Sequence, residues 1–98
     1  MPLAISIDGA PVAPEDARVS IFDRGFLFGD SVFEVLRTYD GVPLGLRAHL
    51  DRLERSASAL GIELPVAREV LAREVLEAIA RGAEPALYVR VIVTRGQG

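Results

Sequence analysis

Ser31-Val-Phe-Glu-Val-Leu-Arg-Thr-Tyr39, closed by Asp40-Gly41 and answered by Val42-Pro-Leu44, is the stretch on which the fold turns. Successive side chains of a strand point to opposite faces. Val32, Glu34, Leu36 and Thr38 therefore share one face, and Phe33, Val35, Arg37 and Tyr39 the other. Asp-Gly between two such runs is a strong hairpin signal, because its tight turn needs positive φ at both central residues. The signal also occurs upstream, where Leu3 to Ile7 alternates weakly, stops at Asp8-Gly9, and Pro11 to Ala13 reads as a short return strand. Pro14 to Ser20 reads as a turn. Asp23-Arg-Gly-Phe-Leu-Phe-Gly-Asp30 reads as a loop in which two glycines bracket aromatic residues.

Downstream the period changes. Leu46, Leu50, Leu53, Ala57 and Leu60 step by four, three, four and three, the single apolar stripe of a helix. Gly61 stands where a left-handed C-terminal cap belongs. A second helix is expected from Pro65, a residue suited to the first turn. Its stripe is Ala67, Val70, Leu71, Val75, Ala78 and Ile79, and Gly82 ends it. After Pro85, Ala86 to Thr94 reads as a β-prone strand. The order β-β-β-β-α-α-β predicts an α+β domain, an antiparallel-rich sheet packed against two helices. The chain has no internal repeats and no low-complexity segment.

The composition narrows the chemistry. A length of 98 residues fits one domain. With 11 basic against 14 acidic side chains the net charge is −3, which argues against the clustered basic face of a nucleic-acid binder. No cysteine is present, so disulfides, thiol redox chemistry and Cys-ligated zinc are excluded, and a single histidine, His49, excludes a multi-histidine metal site. All 11 basic residues are arginine, so no lysine ε-amine can form a Schiff base within these residues. The N-terminus lacks the basic region of a signal peptide, and no apolar run approaches the roughly 20 residues that a membrane span needs. The chain therefore reads as soluble and cytoplasmic. A hydrophobic share of 50% and a mean hydropathy of +0.29 are high for so small a domain. They predict apolar surface reserved for another domain or subunit. The ending Arg95-Gly-Gln-Gly98, a glycine-rich turn directly after a strand, reads as a domain boundary.

Among residues that could carry chemistry, Arg37 and Arg90 stand out. Each sits inside a strand, Arg37 on the face of Phe33 and Val35, Arg90 between Tyr88 and Ile92. Buried arginines are costly unless paired or facing a ligand. The two suggest an anion-accepting cavity above the sheet, with salt bridges to Glu34 or Asp30 as the alternative. Arg47, Arg52 and Arg55, interspersed with Asp51 and Glu54, read as a solvated helix face. His49 reads as a packed or hydrogen-bonding residue, and Asp23 and Asp30 as turn caps. Gly25-Phe-Leu-Phe-Gly29 lacks the spacing of a dinucleotide or phosphate-binding loop.

Taken together, Arg24-Gly-Phe-Leu-Phe-Gly-Asp-Ser-Val-Phe-Glu-Val-Leu-Arg37, Tyr39-Asp-Gly41, and His49-Leu-Asp-Arg-Leu53 with Ser56-Ala57 resemble the N-terminal domain of class IV (fold-type IV) pyridoxal-phosphate enzymes. That family holds branched-chain and D-amino-acid aminotransferases, R-selective amine transaminases and aminodeoxychorismate lyase. The resemblance runs from the first hairpin to Thr94-Arg-Gly96. It implies pyridoxal 5′-phosphate as cofactor, amino-group transfer between an amino acid and a 2-oxo acid, and a homodimer. Residues 1–98 would be the small N-terminal domain. By the same resemblance Arg52 matches the arginine that grips the cofactor phosphate, and Phe33 and Arg37 match positions facing the substrate pocket. Phe28 matches an aromatic position lining that pocket. Tyr88-Val-Arg90 matches a Tyr-x-Arg pattern near the substrate carboxylate of branched-chain enzymes, which favours that type, although Val35 stands where those enzymes often carry glycine. In the family the Schiff-base lysine, the acid pairing with the pyridine nitrogen and a second phosphate-binding loop belong to a larger C-terminal domain. No catalytic residue is therefore expected in this chain, which alone would be inactive. Two alternatives stand beside this: aminodeoxychorismate lyase, told apart by pyruvate release, and a non-catalytic module that dimerises or binds an anion through Arg37, Arg52 and Arg90.

Overall fold

A computed structural model describes residues 3–97 of the chain. The first hairpin is β1 (Ile5–Ile7) and β2 (Ala10–Val12), joined through Asp8 and Gly9, both at positive φ as the two-residue turn requires. A single 3-10 turn, Pro14–Asp16, follows. Then come α1 (Arg24–Phe28), β3 (Ser31–Tyr39), β4 (Val42–Pro43), α2 (Leu46–Ala59), α3 (Arg68–Gly82) and β5 (Tyr88–Thr94). The strands form two antiparallel sheets, β1-β2 and β4-β3-β5. The expected α+β architecture is thus present, with the hairpin as a sheet of its own.

β3 is the centre of the larger sheet and occupies the span its alternation predicts. Val32, Glu34, Leu36 and Thr38 are buried, while Phe33, Val35, Arg37 and Tyr39 are exposed. β5 pairs along it with Ser31 opposite Thr94, Val35 opposite Arg90 and Arg37 opposite Tyr88. α2 lies across the inner face of β3 and carries Leu50, Leu53 and Ala57 into a core with Val32, Ile62 and Val93. Leu53 is fully buried, a burial that stabilises by about 1.5–3 kcal/mol. The stripe predicted for α2 holds except at Leu60, which falls past the helix end and is exposed. α3 packs on α2 and β5 and buries Val75 and Ile79. Among the described residues, no helix is long and apolar enough to cross a membrane.

β1 starts at Ile5 rather than Leu3 and β4 ends at Pro43 rather than Leu44, and four further boundaries differ from those read in the sequence for reasons the structure shows. The segment 23–30 is not a plain loop. Asp23 caps the short helix α1 by accepting the Gly25 N–H, and Gly29 closes it in the left-handed region. α3 starts at Arg68 rather than Pro65, because Arg68 is tethered to α2 through the Asp51 carboxylate and the Arg47 carbonyl. β5 starts at Tyr88 rather than Ala86, where the Leu87 N–H is diverted to Thr38 Oγ1 at 2.9 Å. The return strand of the first hairpin runs Ala10–Val12 rather than 11–13, since the two-residue turn pairs Ile7 with Ala10.

Candidate functional site

The alternation of β3 turns one carboxylate, Glu34, towards the interior, where it is 7% exposed. A buried charge is costly unless it is paired and hydrogen-bonded. α2 supplies both partners from positions three apart, which lie on one helix face. Arg52 donates from Nε to Glu34 Oε2 and from Nη2 to Oε1, each at 2.9 Å. His49 Nδ1 lies 2.6 Å from Oε1. The Arg52 guanidinium holds the Glu34 carboxyl below its ordinary pKa against the opposing effect of burial, and the His49 hydrogen bond acts in the same direction. The carboxylate only accepts, so Nδ1 is the protonated nitrogen of His49. Among the described residues, every buried side-chain nitrogen or oxygen has a partner.

Arg52 itself is not buried: its side chain is 59% exposed. A guanidinium carries five N–H donors in a rigid fork. Glu34 takes one edge of that fork, Nε–H and one Nη2–H, and the remaining three donors have no partner among the described residues. Glu34 also raises the Arg52 pKa, so the group stays charged. An exposed, permanently cationic fork with three uncommitted donors fits a phosphate group. Arg52 lies on a solvated helix face as the sequence reads, but its partner is Glu34, while Asp51 and Glu54 pair with Arg68.

A second cluster occupies the outer face of the sheet. Phe33, Arg37, Tyr88 and Arg90, all singled out in the sequence, are brought together there by the β3–β5 register. Arg37 Nη2 donates to Tyr88 Oη, and its guanidinium carbon lies 4.4 Å from the Tyr88 ring centroid. Arg90 lies 5.5 Å over the Phe33 ring, a cation–π arrangement. Since Tyr88 Oη accepts from Arg37, its own proton is free to be donated elsewhere. The expectation that Arg37 and Arg90 are buried is corrected. Both are exposed, with their charges in water and their stems along aromatic rings. Neither pairs with Glu34, which faces the other way, or with Asp30, which is bound by Arg95. Open grooves of about 460 and 420 Å³ lie elsewhere, one beside Asp40 and Ile79, the other beside Glu54 and Ile62.

Phe28 sits on α1 and is 74% exposed. Its helix is held against the end of β5. Thr94 Oγ1 donates to Asp23 Oδ2 at 3.0 Å, and the Arg24 N–H donates to the Gly96 carbonyl at 2.7 Å. Only glycine fits at position 25, where a Cβ would lie 2.6 Å from Thr94 Cγ2. Asp23 is thus a cap, as read from the sequence, and Asp30 an ion-pair partner. The residue that sequence reasoning passes over is Glu34, considered only as an ion-pair partner for Arg37 or Arg90. Its signal was present: a carboxylate between Val32 and Leu36 on the apolar face of an alternating strand.

Known proteins share this fold. Residues 31–98 match the family model described as amino-transferase class IV. A putative branched-chain-amino-acid aminotransferase of Methanocaldococcus jannaschii is 44% identical over 96 residues, covering 98% of this chain and 33% of that protein. The crystal structure of the T.th. branched-chain amino acid aminotransferase with pyridoxamine 5′-phosphate superposes with a TM-score of 0.90. It is 31% identical, covering 99% of this chain and 34% of that one. The 4-amino-4-deoxychorismate lyase of Pseudomonas aeruginosa is 38% identical with a TM-score of 0.74, covering 93% of this chain and 31% of that one. The chain thus spans about a third of the length of the relatives it matches. The family model, the sequence identity and the fold agree, and the chain belongs to the class IV aminotransferase family.

Proposed function

We propose that this chain is the N-terminal domain of a pyridoxal-phosphate-dependent aminotransferase that moves an amino group between a branched-chain amino acid and a 2-oxo acid. The observation that carries the reading is the outward fork of Arg52, locked on its inner edge by Glu34 and open on its outer edge. When bound, pyridoxal phosphate supplies the electron sink for cleavage of a bond at the substrate Cα. Arg52 binds the phosphate through its three uncommitted donors. On the outer face, the Tyr88 hydroxyl, polarised by the Arg37 donor, donates to a substrate carboxylate, and Arg90 offers it a fixed positive charge beside the apolar surface of Phe33. Phe28, held outward by α1, adds aromatic lining.

This chain contains no lysine, and arginine does not serve as the covalent amine. The Schiff-base lysine is therefore supplied by a C-terminal domain of a longer protein, in line with the relatives' threefold greater length. A cytoplasmic homodimer completes the reading, checked by fractionation and sedimentation. The test is the intact mass of the native gene product, followed by an assay of amino transfer to 2-oxoglutarate. A mass well above 10.6 kDa with pyridoxal-phosphate-dependent transfer supports it. A native mass of 10.6 kDa returns the chain to a non-catalytic anion-binding or dimerising module. A second reading, lyase action on 4-amino-4-deoxychorismate, is favoured by the 38% identity to the Pseudomonas aeruginosa enzyme. Release of pyruvate from that compound, without amino transfer, decides for it.

A further inference from the structure

We propose that Glu34 is a positioning residue for the phosphate site: its buried carboxylate holds Arg52 in the one orientation that aims three N–H donors outward. This rests on the assignment of Arg52 to the cofactor phosphate made above. The pair is asymmetric. Glu34 is 7% exposed and Arg52 is 59% exposed, so the carboxylate is fixed in the interior and the guanidinium stands at the surface. A long arginine side chain has several rotatable bonds, and ordering it on a ligand costs affinity. Here that ordering is made before any ligand arrives. The side-on geometry, Nε with Nη2, leaves the end of the fork clear.

His49 makes the arrangement rigid. Oε1 of Glu34 receives both Arg52 Nη2 and His49 Nδ1, so rotation of the carboxylate breaks two hydrogen bonds at once. The His49 N–H also directs its positive end at the carboxylate, which lessens the repulsion between Glu34 and a phosphate on the far side of the fork. Neither partner can be replaced by its nearest relative. Glutamine at 34 would present one amide N–H₂ to a site where both neighbours donate, and lysine at 52 has no second edge.

The experiment compares the affinity of the full-length apo protein for pyridoxal 5′-phosphate with its affinity for pyridoxal, which lacks the phosphate. The ratio of the two constants isolates the phosphate contribution and is not moved by a general loss of stability. Glu34→Gln is expected to lower the ratio about two- to tenfold, the cost of immobilising one flexible side chain. In an Arg52→Ala background the same change is expected to have no further effect. A ratio unchanged or raised by Glu34→Gln, while Arg52→Ala lowers it, overturns the proposal and makes Glu34 a structural charge or an electrostatic brake. A ratio that Arg52→Ala leaves unchanged instead removes the phosphate assignment itself, and the proposal with it. Should Glu34→Gln not fold, Glu34→Asp carries the same test. It keeps the charge for His49 but withdraws it by one methylene from the Arg52 edge, and the same loss is expected.

Discussion

At the scale of single residues, the molecule separates groups that hold from groups that are held out. Glu34 belongs to the first kind and should be visible in acid. Its carboxyl lies below the ordinary value of about 4.3 because Arg52 and His49 favour the charged form. A depressed carboxylate stabilises the fold above the unfolded-state value, and this contribution is lost as pH falls through the lower folded value. Thermal midpoints of the full-length protein should therefore fall below about pH 4.3, and less steeply in Glu34→Gln. Part of the slope should remain, because Arg95 lowers the pKa of Asp30 in the same direction. Tyr88 belongs to the second kind, being 72% exposed. Tyr88→Phe should shift stability by no more than about 0.5 kcal/mol while raising KM for the amino-acid substrate about tenfold. A fall in melting temperature without a change in KM would place the hydroxyl in the structure rather than in recognition. Glu34 also shows how far the sequence carries at this scale. Its place on the inner face follows from alternation alone, but its partners come from α2, and no local pattern tells which helix residue will reach a given strand carboxylate.

At the scale of elements, legibility follows how much of an element's cause lies within it. β3 and α2 were readable because each repeats its own period over nine and 14 residues. α1 was not, because five residues are too few to show a helical stripe, and its fixing bonds come from Thr94 and Gly96 at the other end of the chain. The start of α3 was misplaced for a related reason: the local preference of Pro65 yields to the tether of Arg68 on α2. The α1 dock makes a direct prediction. Gly25→Ala brings a methyl against Thr94 Cγ2 and should destabilise by about 1–3 kcal/mol, outweighing an intrinsic helix gain of about 1 kcal/mol. Thr94→Ser removes that methyl and keeps the hydroxyl bonded to Asp23, so it should recover part of the loss in denaturant melts. If Gly25→Ala is neutral, α1 is not held at the distance described.

At the scale of the whole molecule, the high hydrophobic share leaves apolar side chains exposed along 19–28 and on one open face of the larger sheet. Phe33, Tyr39, Tyr88 and Ile92 are all more than half exposed on the outer side of the larger sheet, with Val35 among them at 36%. Sequence composition announced such a surface without locating it, since location needs the β3–β5 register. Produced by itself, the 98-residue chain should bind a hydrophobic dye and self-associate in sedimentation, and Phe33→Ser with Ile92→Ser should reduce both without unfolding it. That register has a further consequence, in the order of synthesis. β3 leaves the ribosome roughly sixty residues before β5, an interval of about 3–12 s at ordinary elongation rates. During it β4 can pair with only Thr38 and Tyr39, so most of a Val-Phe-Glu-Val-Leu-Arg strand waits with an open edge. Its two charges, Glu34 and Arg37, point to opposite faces and then act as gatekeepers against pairing with neighbouring nascent chains. The residues assigned here to orienting Arg52 and polarising the Tyr88 hydroxyl thus guard the chain before any ligand can bind.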